Sequence, residues 1–233
     1  MKAFLLAAGL GTRLRPITDH TPKCLVTVGD RPMLDIWLDA LAAAGVTEVL
    51  LNAHHLADQV QAHVAARAGR PLVHVVVEPE LLGSAGTLRA NRDFVADEDM
   101  FLAINADNLT DFDLRLLIDA HRARGAVATL SLFRAADPTQ VGVVEVDDGL
   151  VVGFVEKPEH PRGDLANAGM YAFSPAVLDE ITGPGPRDIG FDLLPGLIGR
   201  ARAVELDGSY FLDIGNAEAL RRARNEWKGG LAR

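Results

Sequence analysis

The chain has 233 residues, 48% of them hydrophobic and 24% charged, which is the composition of an ordinary soluble globular protein. Its net charge of −9 argues against nucleic-acid binding, and no stretch approaches the ~20 apolar residues that a membrane helix needs. The sequence therefore predicts neither nucleic-acid nor membrane partners. Cys24 is the single cysteine, so an internal disulfide is excluded and a reducing, cytoplasmic location is predicted.

Strand-like and helix-like segments alternate through the first 135 residues. The predicted strands are short apolar runs without clean alternation, as expected of strands buried on both faces. They lie at 3–8, 48–52, 72–77, 101–105 and 126–133. Helical patterns separate them, at 33–44, 56–66, 85–92 and 114–124. This order predicts an α/β fold with a Rossmann-like, mostly parallel sheet flanked by helices, and ligands at the carboxyl ends of its strands.

The pattern changes after about residue 136. Segments 141–146 and 151–155, joined by Asp147-Asp148-Gly149, predict a hairpin. Segments 202–206 and 210–212 predict a second hairpin around Asp207-Gly208. The remaining predicted elements are a strand at 168–173, a short helix capped by Ser174-Pro175 and a final helix at 217–227.

A glycine loop follows the first predicted strand. It reads Ala7-Ala8-Gly9-Leu10-Gly11-Thr12-Arg13-Leu14-Arg15-Pro16, and Pro22-Lys23-Cys24-Leu25 comes shortly after it. The third glycine of a dinucleotide-binding G-x-G-x-x-G is absent, Pro16 follows too soon for a regular helix from Gly11, and the chain has no Walker A sequence. Residues 1–31 hold five Lys or Arg against two Asp. Backbone N–H groups and cations in such a loop predict a site for a small polyphosphate.

The run G-x-G-T-R-L-x-P, with P-K-x-L behind it, resembles the signature of the sugar-1-phosphate nucleotidyltransferases, or nucleoside-diphosphate-sugar pyrophosphorylases. The resemblance runs from Met1 to about Trp227 with the motifs in the same order. It implies the nucleotide-diphospho-sugar transferase fold, as a single domain over residues 1–233. A nucleotide-binding half would span about 1–135 and a smaller sugar-binding half about 136–233. The implied partners are a nucleoside triphosphate and a sugar 1-phosphate, and a homo-oligomer is compatible with the sequence.

The resemblance also implies roles for the loop residues. Arg13 matches the arginine that would grip the β- and γ-phosphates, and Lys23 matches the lysine that would bridge the α-phosphate and the sugar phosphate. Two anions must meet in this reaction, so cations and positioning matter more than a protein nucleophile. A surface cation is the alternative for either residue, and solvation accounts equally well for Arg15. The other residues expected to bind the nucleotide here are Ala7, Ala8, Gly9, Gly11 and Thr12.

Two aspartates match the family's magnesium ligands. Asp107 follows an apolar strand, and Asp213 sits in Phe-Leu-Asp-Ile-Gly. Two carboxylates with phosphate oxygens make an ordinary Mg²⁺ site. Helix or turn capping is the alternative: Asp107 would cap the following turn and Asp213 the last helix. One departure is Ala106, where the family usually has glycine before the first aspartate.

The segment from Leu82 to Thr87 matches the family's second nucleotide loop, with Gly83 and Ser84 expected to contact the nucleotide. Glu78 precedes it, where uridylyl- and thymidylyltransferases commonly have Gln. A carboxylate only accepts hydrogen bonds, so it suits the two adjacent donors of guanine and predicts a preference for GTP. A solvated Glu78 closing a strand is the alternative, as is Glu80 acting as the base reader.

The sugar site is implied by four residues that match the family's pattern. They are Gly142, Glu156, Lys157 and Asn167. A carboxylate and an amide suit pyranose hydroxyls, and Lys157 can neutralise the sugar phosphate. A salt bridge between neighbours in the hairpin would explain Glu156 and Lys157 individually, but it would not explain the whole set.

The chain looks most like the short guanylyltransferases that act on heptose or mannose 1-phosphate. A uridylyltransferase for a sugar such as N-acetylmuramic acid 1-phosphate is the alternative enzyme. A non-catalytic nucleotide-sugar-binding regulatory subunit is the alternative from another class, and it predicts loss of the phosphate cations or metal carboxylates, all of which are present. A dinucleotide-binding oxidoreductase is disfavoured by the missing third glycine.

Overall fold

The computed structural model describes residues 1–229, except the side chain of Arg124. These residues group into two compact units, each discontinuous in sequence. Of the described residues, the first unit comprises 1–81, 104–114 and 209–229, and the second comprises 82–103 and 115–208. A single domain over 1–233 with halves meeting near residue 135 stays a prediction, and its last four residues, 230–233, lie outside the described part.

The strands are β1 (Lys2–Leu6), β2 (Thr27–Val28), β3 (Arg31–Pro32), β4 (Glu48–Ala53), β5 (Leu72–Val77), β6 (Phe101–Asn105), β7 (Asn108–Thr110), β8 (Ala128–Arg134), β9 (Gly142–Asp147), β10 (Leu150–Glu156), β11 (Leu165–Phe173), β12 (Ala201–Glu205) and β13 (Phe211–Asp213). The α-helices are α1 (Met33–Ala43), α2 (Ala57–Ala66), α3 (Ser84–Ala90), α4 (Leu114–Arg124) and α5 (Ala217–Glu226). Every strand and helix predicted up to residue 135 is confirmed to within two residues. None of the helices among the described residues combines the length and apolarity that a membrane crossing requires.

In the first unit, β1, β4 and β5 pair in parallel in the order β5-β4-β1. Their carboxyl ends therefore point the same way, which places the residues that follow β1 and β5 at one edge of the sheet. The antiparallel pair β7–β13 belongs to this unit as well. Its core includes Leu14 from the glycine loop, Leu109 from β7 and Leu220 from α5, all buried in one cluster. The loop is thus anchored by apolar packing as well as by its backbone.

In the second unit, the strand order is β6-β11-β8-β12-β10-β9. The β8–β12 pair is parallel. Strand β11 pairs with β8 and β9, and β10 pairs with β12 and β9, in antiparallel fashion. The α/β class is confirmed, with a parallel sheet in the first unit and a mixed arrangement in the second.

The first predicted hairpin is confirmed. Asp147 pairs with Leu150, which leaves Asp148 and Gly149 as the two-residue loop between β9 and β10. Both have positive φ angles, 44° for Asp148 and 70° for Gly149. Two successive left-handed residues match the right-handed twist of the flanking strands, which is why Asp-Gly is favoured at this turn.

The second predicted hairpin is wrong. β12 pairs with β8 and β10 in the second unit, whereas β13 pairs with β7 in the first. Tyr210 explains the change of partner, because its N–H donates to Asp111 Oδ1 (2.7 Å) and its carbonyl accepts from Thr110 Oγ1 (2.7 Å). The Asp-Gly signal marks a local turn, but these distant polar groups decide which strand is paired.

Ser174 does not cap the short helix as predicted. A 3-10 helix does run from Pro175 to Glu180, but the Ser174 hydroxyl makes no capping hydrogen bond. It donates instead to the carbonyl of Ala126 over 3.3 Å. The proline at the first helical position still fixes where the helix starts, since it needs no hydrogen-bond partner there.

Candidate active site

The glycine loop behind β1 is irregular, as predicted, and contains short 3-10 turns at Thr12–Leu14 and Lys23–Leu25. Gly11 has a left-handed conformation with φ 63°, and its carbonyl accepts from Thr18 Oγ1 and from the Leu14 N–H, both at 2.8 Å. A Cβ at Gly11 would lie 2.8 Å from Thr18 Cγ2. Both the backbone angle and the close approach therefore require glycine at this position.

Lys23 and Asp107 are brought into direct contact. The Lys23 ammonium donates to Asp107 Oδ2 over 2.6 Å, with 13% of the lysine side chain and 36% of the aspartate side chain exposed. The neighbour Cys24 is buried, and burial raises the pKa of its thiol to about 12. Cys24 is therefore a packing residue, and its burial holds the Lys23 turn against the core.

Asp213 and Asp107 lie at the same end of the β7–β13 pair. Asp213 stands opposite Asn108 in the register, and the Ile214 N–H donates to the Asp107 carbonyl over 2.9 Å. Arg13 belongs to the same cluster, because a Cβ on Gly215 would lie 2.9 Å from Arg13 Nη2 and 3.2 Å from Asp213 Oδ1. The first unit thus gathers the two predicted cations and the two predicted carboxylates.

The capping alternative for Asp213 is wrong. Helix α5 is capped by Asn216, whose Oδ1 accepts from the Ala219 N–H over 2.9 Å. Arg15, for which solvation was the alternative, is exposed and paired with Asp19 at 3.1 Å. Ala106 is 2% exposed, so the methyl group that replaces the usual glycine is packed inside the protein.

The donor chemistry of the cluster suits Mg²⁺. Asp107 and Asp213 supply carboxylate oxygens, the ligands that this ion prefers, and one or two carboxylates with phosphate oxygens are its usual set in phosphoryl-transfer sites. Within residues 1–229, no group of three or more His, Cys, Asp or Glu side chains is arranged to hold a metal ion. An ion at this pair would need oxygens from a bound phosphate or water in addition.

A buried hydrogen-bond relay joins the glycine loop to the end of β5. The Ala7 N–H donates to Asn52 Oδ1 (2.7 Å), and Asn52 Nδ2 donates to Glu78 Oε1 (2.9 Å). Asn52 is 4% and Glu78 2% exposed, so the solvated alternative for Glu78 is wrong. Its role as base reader stays a prediction. Asn52 was missed by the sequence analysis, although a polar residue inside the apolar run of β4 is the signal that identifies it.

In the second unit, α3 begins at the predicted loop, and its small residues face another segment of the chain. Gly83 has φ 76°, and a Cβ there would overlap the Arg187 carbonyl. The Arg187 N–H donates to the Leu82 carbonyl (2.8 Å), and the Gly86 N–H donates to the Arg187 carbonyl (3.0 Å). The contact of a base with this loop stays a prediction, but the protein's own backbone already requires glycine at position 83.

Asp188 is a second residue that the sequence analysis missed. Its Oδ2 accepts from Ser84 Oγ (2.9 Å), and its Oδ1 accepts from the Gly190 N–H (2.8 Å) and the Phe191 N–H (3.3 Å). The Ile189 N–H also donates to Ser84 Oγ, over 2.8 Å. The position of Asp188 before a short π-helical turn, Ile189–Leu193, is the usual one for a capping carboxylate.

The Glu156 carboxylate sits between two glycines. A Cβ on Gly142 or on Gly190 would lie 2.6 Å from Glu156 Oε2. Burial raises the pKa of Glu156; the charge of Asp188 raises it further, while that of Lys157 lowers it. Lys157 follows β10 with φ 48°, a conformation rare for a side-chain-bearing residue and typical of functional sites.

Asn167 lies in a bulge of β11. The register with β8 shifts between Asn167 and Tyr171, and Gly169 in between has φ 70°. Asn167 Nδ2 donates to the Tyr171 hydroxyl over 2.6 Å, and Asn167 Oδ1 accepts from the Gly169 N–H over 3.1 Å. Bulges of this kind re-aim a side chain next to a functional site. The second unit therefore holds Gly83, Ser84 and the four predicted sugar residues.

Comparison with known proteins gives a consistent result. The sequence profile of the family described as nucleotidyl transferase matches residues 2–228. Mannose-1-phosphate guanyltransferase beta-A of Xenopus laevis is 35% identical over an alignment 245 positions long, which covers 97% of this chain and 68% of that protein.

Two solved structures share the fold. A Bacillus anthracis protein described as a glucose-1-phosphate thymidylyltransferase, crystallised with sucrose, superposes with a TM-score of 0.85 at 25% identity, covering 99% of this chain and 97% of its own. HddC of Yersinia pseudotuberculosis in complex with GMP-PN has a TM-score of 0.80 at 26% identity, covering 97% of this chain and 99% of its own. The fold and the motifs that carry the resemblance agree with these matches: the chain is an enzyme that belongs to the nucleotidyl transferase family.

Proposed function

We propose that this enzyme transfers the guanylyl group of GTP to mannose 1-phosphate or a heptose 1-phosphate and releases pyrophosphate. The relative from Xenopus laevis is named for mannose 1-phosphate and guanylyl transfer. The HddC structure contains a guanine nucleotide analogue, GMP-PN. The observation that carries the proposal is the contact of 2.6 Å between Lys23 and Asp107, inside the cluster that also holds Arg13 and Asp213.

Lys23 is suited to the reacting phosphates. In the proposed reaction an oxygen of the sugar phosphate forms a bond to the α-phosphorus of GTP while the bond from that phosphorus to pyrophosphate breaks. Negative charge collects on both sides of the α-phosphorus, so a fixed cation lowers the barrier without reorganising. Lys23 is largely buried and pinned by Asp107, which holds its ammonium in one place. Arg13 is exposed, so its guanidinium can pair with the phosphates of the leaving pyrophosphate.

Asp107 and Asp213 are proposed to hold Mg²⁺. The ion would supply positive charge to phosphate oxygens and help to align them. The β7–β13 pairing brings Asp107 and Asp213 to the same end of two adjacent segments, and Lys23 limits the negative charge that Asp107 presents.

The sugar 1-phosphate is proposed to bind Glu156, Lys157 and Asn167 in the second unit. Glu156 can accept hydrogen bonds from sugar hydroxyls, and its position between Gly142 and Gly190 fixes its direction. Lys157 is exposed and can pair with the sugar phosphate. The Asn167 amide is held in the bulge by Gly169, so little rotamer freedom is lost when a sugar binds.

The test is a pyrophosphate-release screen of the purified protein, in which four nucleoside triphosphates are crossed with a panel of sugar 1-phosphates. GTP with mannose or heptose 1-phosphate is expected to give the highest kcat/KM. A maximum with UTP and N-acetylmuramic acid 1-phosphate would replace the proposal by the alternative enzyme. Nucleotide-sugar binding without any turnover would point to a regulatory subunit instead.

A further inference from the structure

The residues between the α3 loop and the Glu156 carboxylate form a continuous chain of contacts. We propose that Asp188 is a positioning residue that braces Ser84 and Glu156 in one arrangement, so that the binding of nucleotide and of sugar 1-phosphate depends on the same side chain. This proposal rests on the proposed function, since it assumes that Ser84 contacts GTP and Glu156 the sugar.

The first link of the brace runs from Asp188 to Ser84, which lies 104 positions earlier in the chain. Asp188 Oδ2 accepts from the Ser84 hydroxyl at 2.9 Å, and the same hydroxyl accepts from the Ile189 N–H at 2.8 Å. A hydrogen bond to a carboxylate is roughly twice as strong as a neutral one. The first residue of α3 is therefore tied to the Asp188 segment by two hydrogen bonds through one oxygen.

The second link runs from Asp188 to Glu156. Asp188 Oδ1 accepts from the Gly190 N–H at 2.8 Å and thereby sets the position of Gly190. Gly190 borders the Glu156 carboxylate so closely that a Cβ there would lie 2.6 Å from Oε2. Because Gly142 borders the same oxygen from β9, a shift of Gly190 changes the space in which Glu156 is held.

The Asp188 segment is itself fixed by neighbouring contacts. The Asp188 N–H donates to Asp192 Oδ2 (2.7 Å), and Asp192 Oδ1 pairs with Arg187 Nη1 (2.9 Å). The Arg187 backbone is in turn bonded to Leu82 and Gly86. A carboxylate whose two oxygens accept from three partners, on a segment fixed at both sides, has a position well defined enough to transmit a displacement.

The test measures KM for GTP and for mannose 1-phosphate separately in three variants and a control. Asp188→Ala loses both links, so both KM values are expected to rise about tenfold. Ser84→Ala loses only the first link and is expected to raise KM for GTP alone. Asp188→Asn keeps an acceptor oxygen for Gly190 and is expected to restore most of the affinity for the sugar. Asp179→Asn, which breaks an exposed ion pair with Arg92, is the matched control and is expected to change neither KM.

Equal KM values in Asp188→Ala and the wild type would overturn the brace, as would a rise for one substrate only. Hydrogen exchange of the Ile189 and Gly190 amides without substrate gives a second readout. Faster exchange is expected at both amides in Asp188→Ala and at Ile189 alone in Ser84→Ala; unchanged exchange in Asp188→Ala contradicts the brace. If the wild type has no transferase activity, the proposed function fails, and the exchange rates still decide whether the brace exists.

Discussion

Asn52 donates a hydrogen bond to Glu78 Oε1 over 2.9 Å, and the orientation of its amide is determined by Ala7, whose N–H can only donate to the Asn52 oxygen. Residue 78 must therefore present an acceptor to Asn52. Gln meets this requirement with its carbonyl oxygen, but its other atom is then a donor instead of a second acceptor. In Glu78→Gln, the atom bonded to Asn52 therefore stays an acceptor, while the other terminal atom changes from an acceptor oxygen to a donor nitrogen.

Glu78→Gln is expected to lower the preference for GTP over UTP by about 10- to 100-fold, since one two-point contact with a base discriminates by about 1–3 kcal/mol. The measurement is kcat/KM for both nucleotides. Glu80→Gln is the matched control, because Glu80 is exposed and lies two residues away. A shift in the control but not in Glu78→Gln would assign base reading to Glu80.

Gly11→Ala is expected to destabilise the protein by about 1–2 kcal/mol through its left-handed conformation, with an added cost from the 2.8 Å approach to Thr18 Cγ2. Urea unfolding measures the difference. Gly9→Ala is the control, because a Cβ at Gly9 would meet nothing within 4 Å. Equal stability of the two variants would show that the loop does not hold the conformation described for Gly11.

We expect kcat/KM for the sugar phosphate to fall at acidic pH as Glu156 becomes protonated, which gives the pH profile an acidic limb. Burial and the Asp188 charge raise the pKa of Glu156 above its ordinary value of 4.5, against the opposing effect of Lys157. Activity that needs the carboxylate is lost as the pH falls through this raised pKa, so the limb is expected above pH 4.5.

The same shift has a consequence for stability. A carboxyl group with a raised pKa in the folded state binds protons more tightly there than in the unfolded chain. The group therefore lowers the free energy of unfolding once it ionises. This destabilisation is absent below the pKa of the unfolded chain, and it is complete once the pH has risen through the pKa of the folded protein. Glu156→Gln is expected to remove both this stability change and the acidic limb. An unchanged acidic limb in Glu156→Gln would assign that limb to another group.

Cys24 is expected to be inert in the native protein. Its thiol is buried with a pKa of about 12, so little thiolate is present at pH 8 and reagents have no access to it. Mass spectrometry after iodoacetamide treatment should show an unmodified native protein and a fully modified protein in urea. Rapid native modification would contradict the packing described for the Lys23 turn.

Site residues could be predicted from the sequence where their type is unusual among their immediate neighbours in the chain. Arg13, Lys23, Asp107 and Asp213 could be identified because they match the motifs of the family that the sequence resembles. Cations around a glycine loop and carboxylates after apolar strands are also locally unusual, and the structure groups the four residues. The helices from α1 to α4 could be predicted as well, since their apolar periodicity is a local property.

Relationships between distant segments could not be predicted in the same way. The role of Asn52 depends on β4 lying between β1 and β5, and that of Asp188 on a contact with Ser84 across 104 positions. The second hairpin fails for the same reason: the Asp207-Gly208 turn is a local signal, whereas Thr110 and Asp111 determine the partner of β13. Strand pairing needs these tertiary contacts, which residue types alone do not specify.

The central proposal is that Lys23 and Arg13 in the first unit, together with a Mg²⁺ ion that Asp107 and Asp213 would hold, neutralise the reacting phosphates. Its most direct test is kcat for Lys23→Met, measured with GTP and mannose 1-phosphate beside a Lys228→Met control on an exposed lysine. By analogy with the loss of one oxyanion donor, kcat should fall by about 10²–10³-fold in Lys23→Met, with an unchanged melting temperature and a fully active control. Full turnover in Lys23→Met would contradict the account.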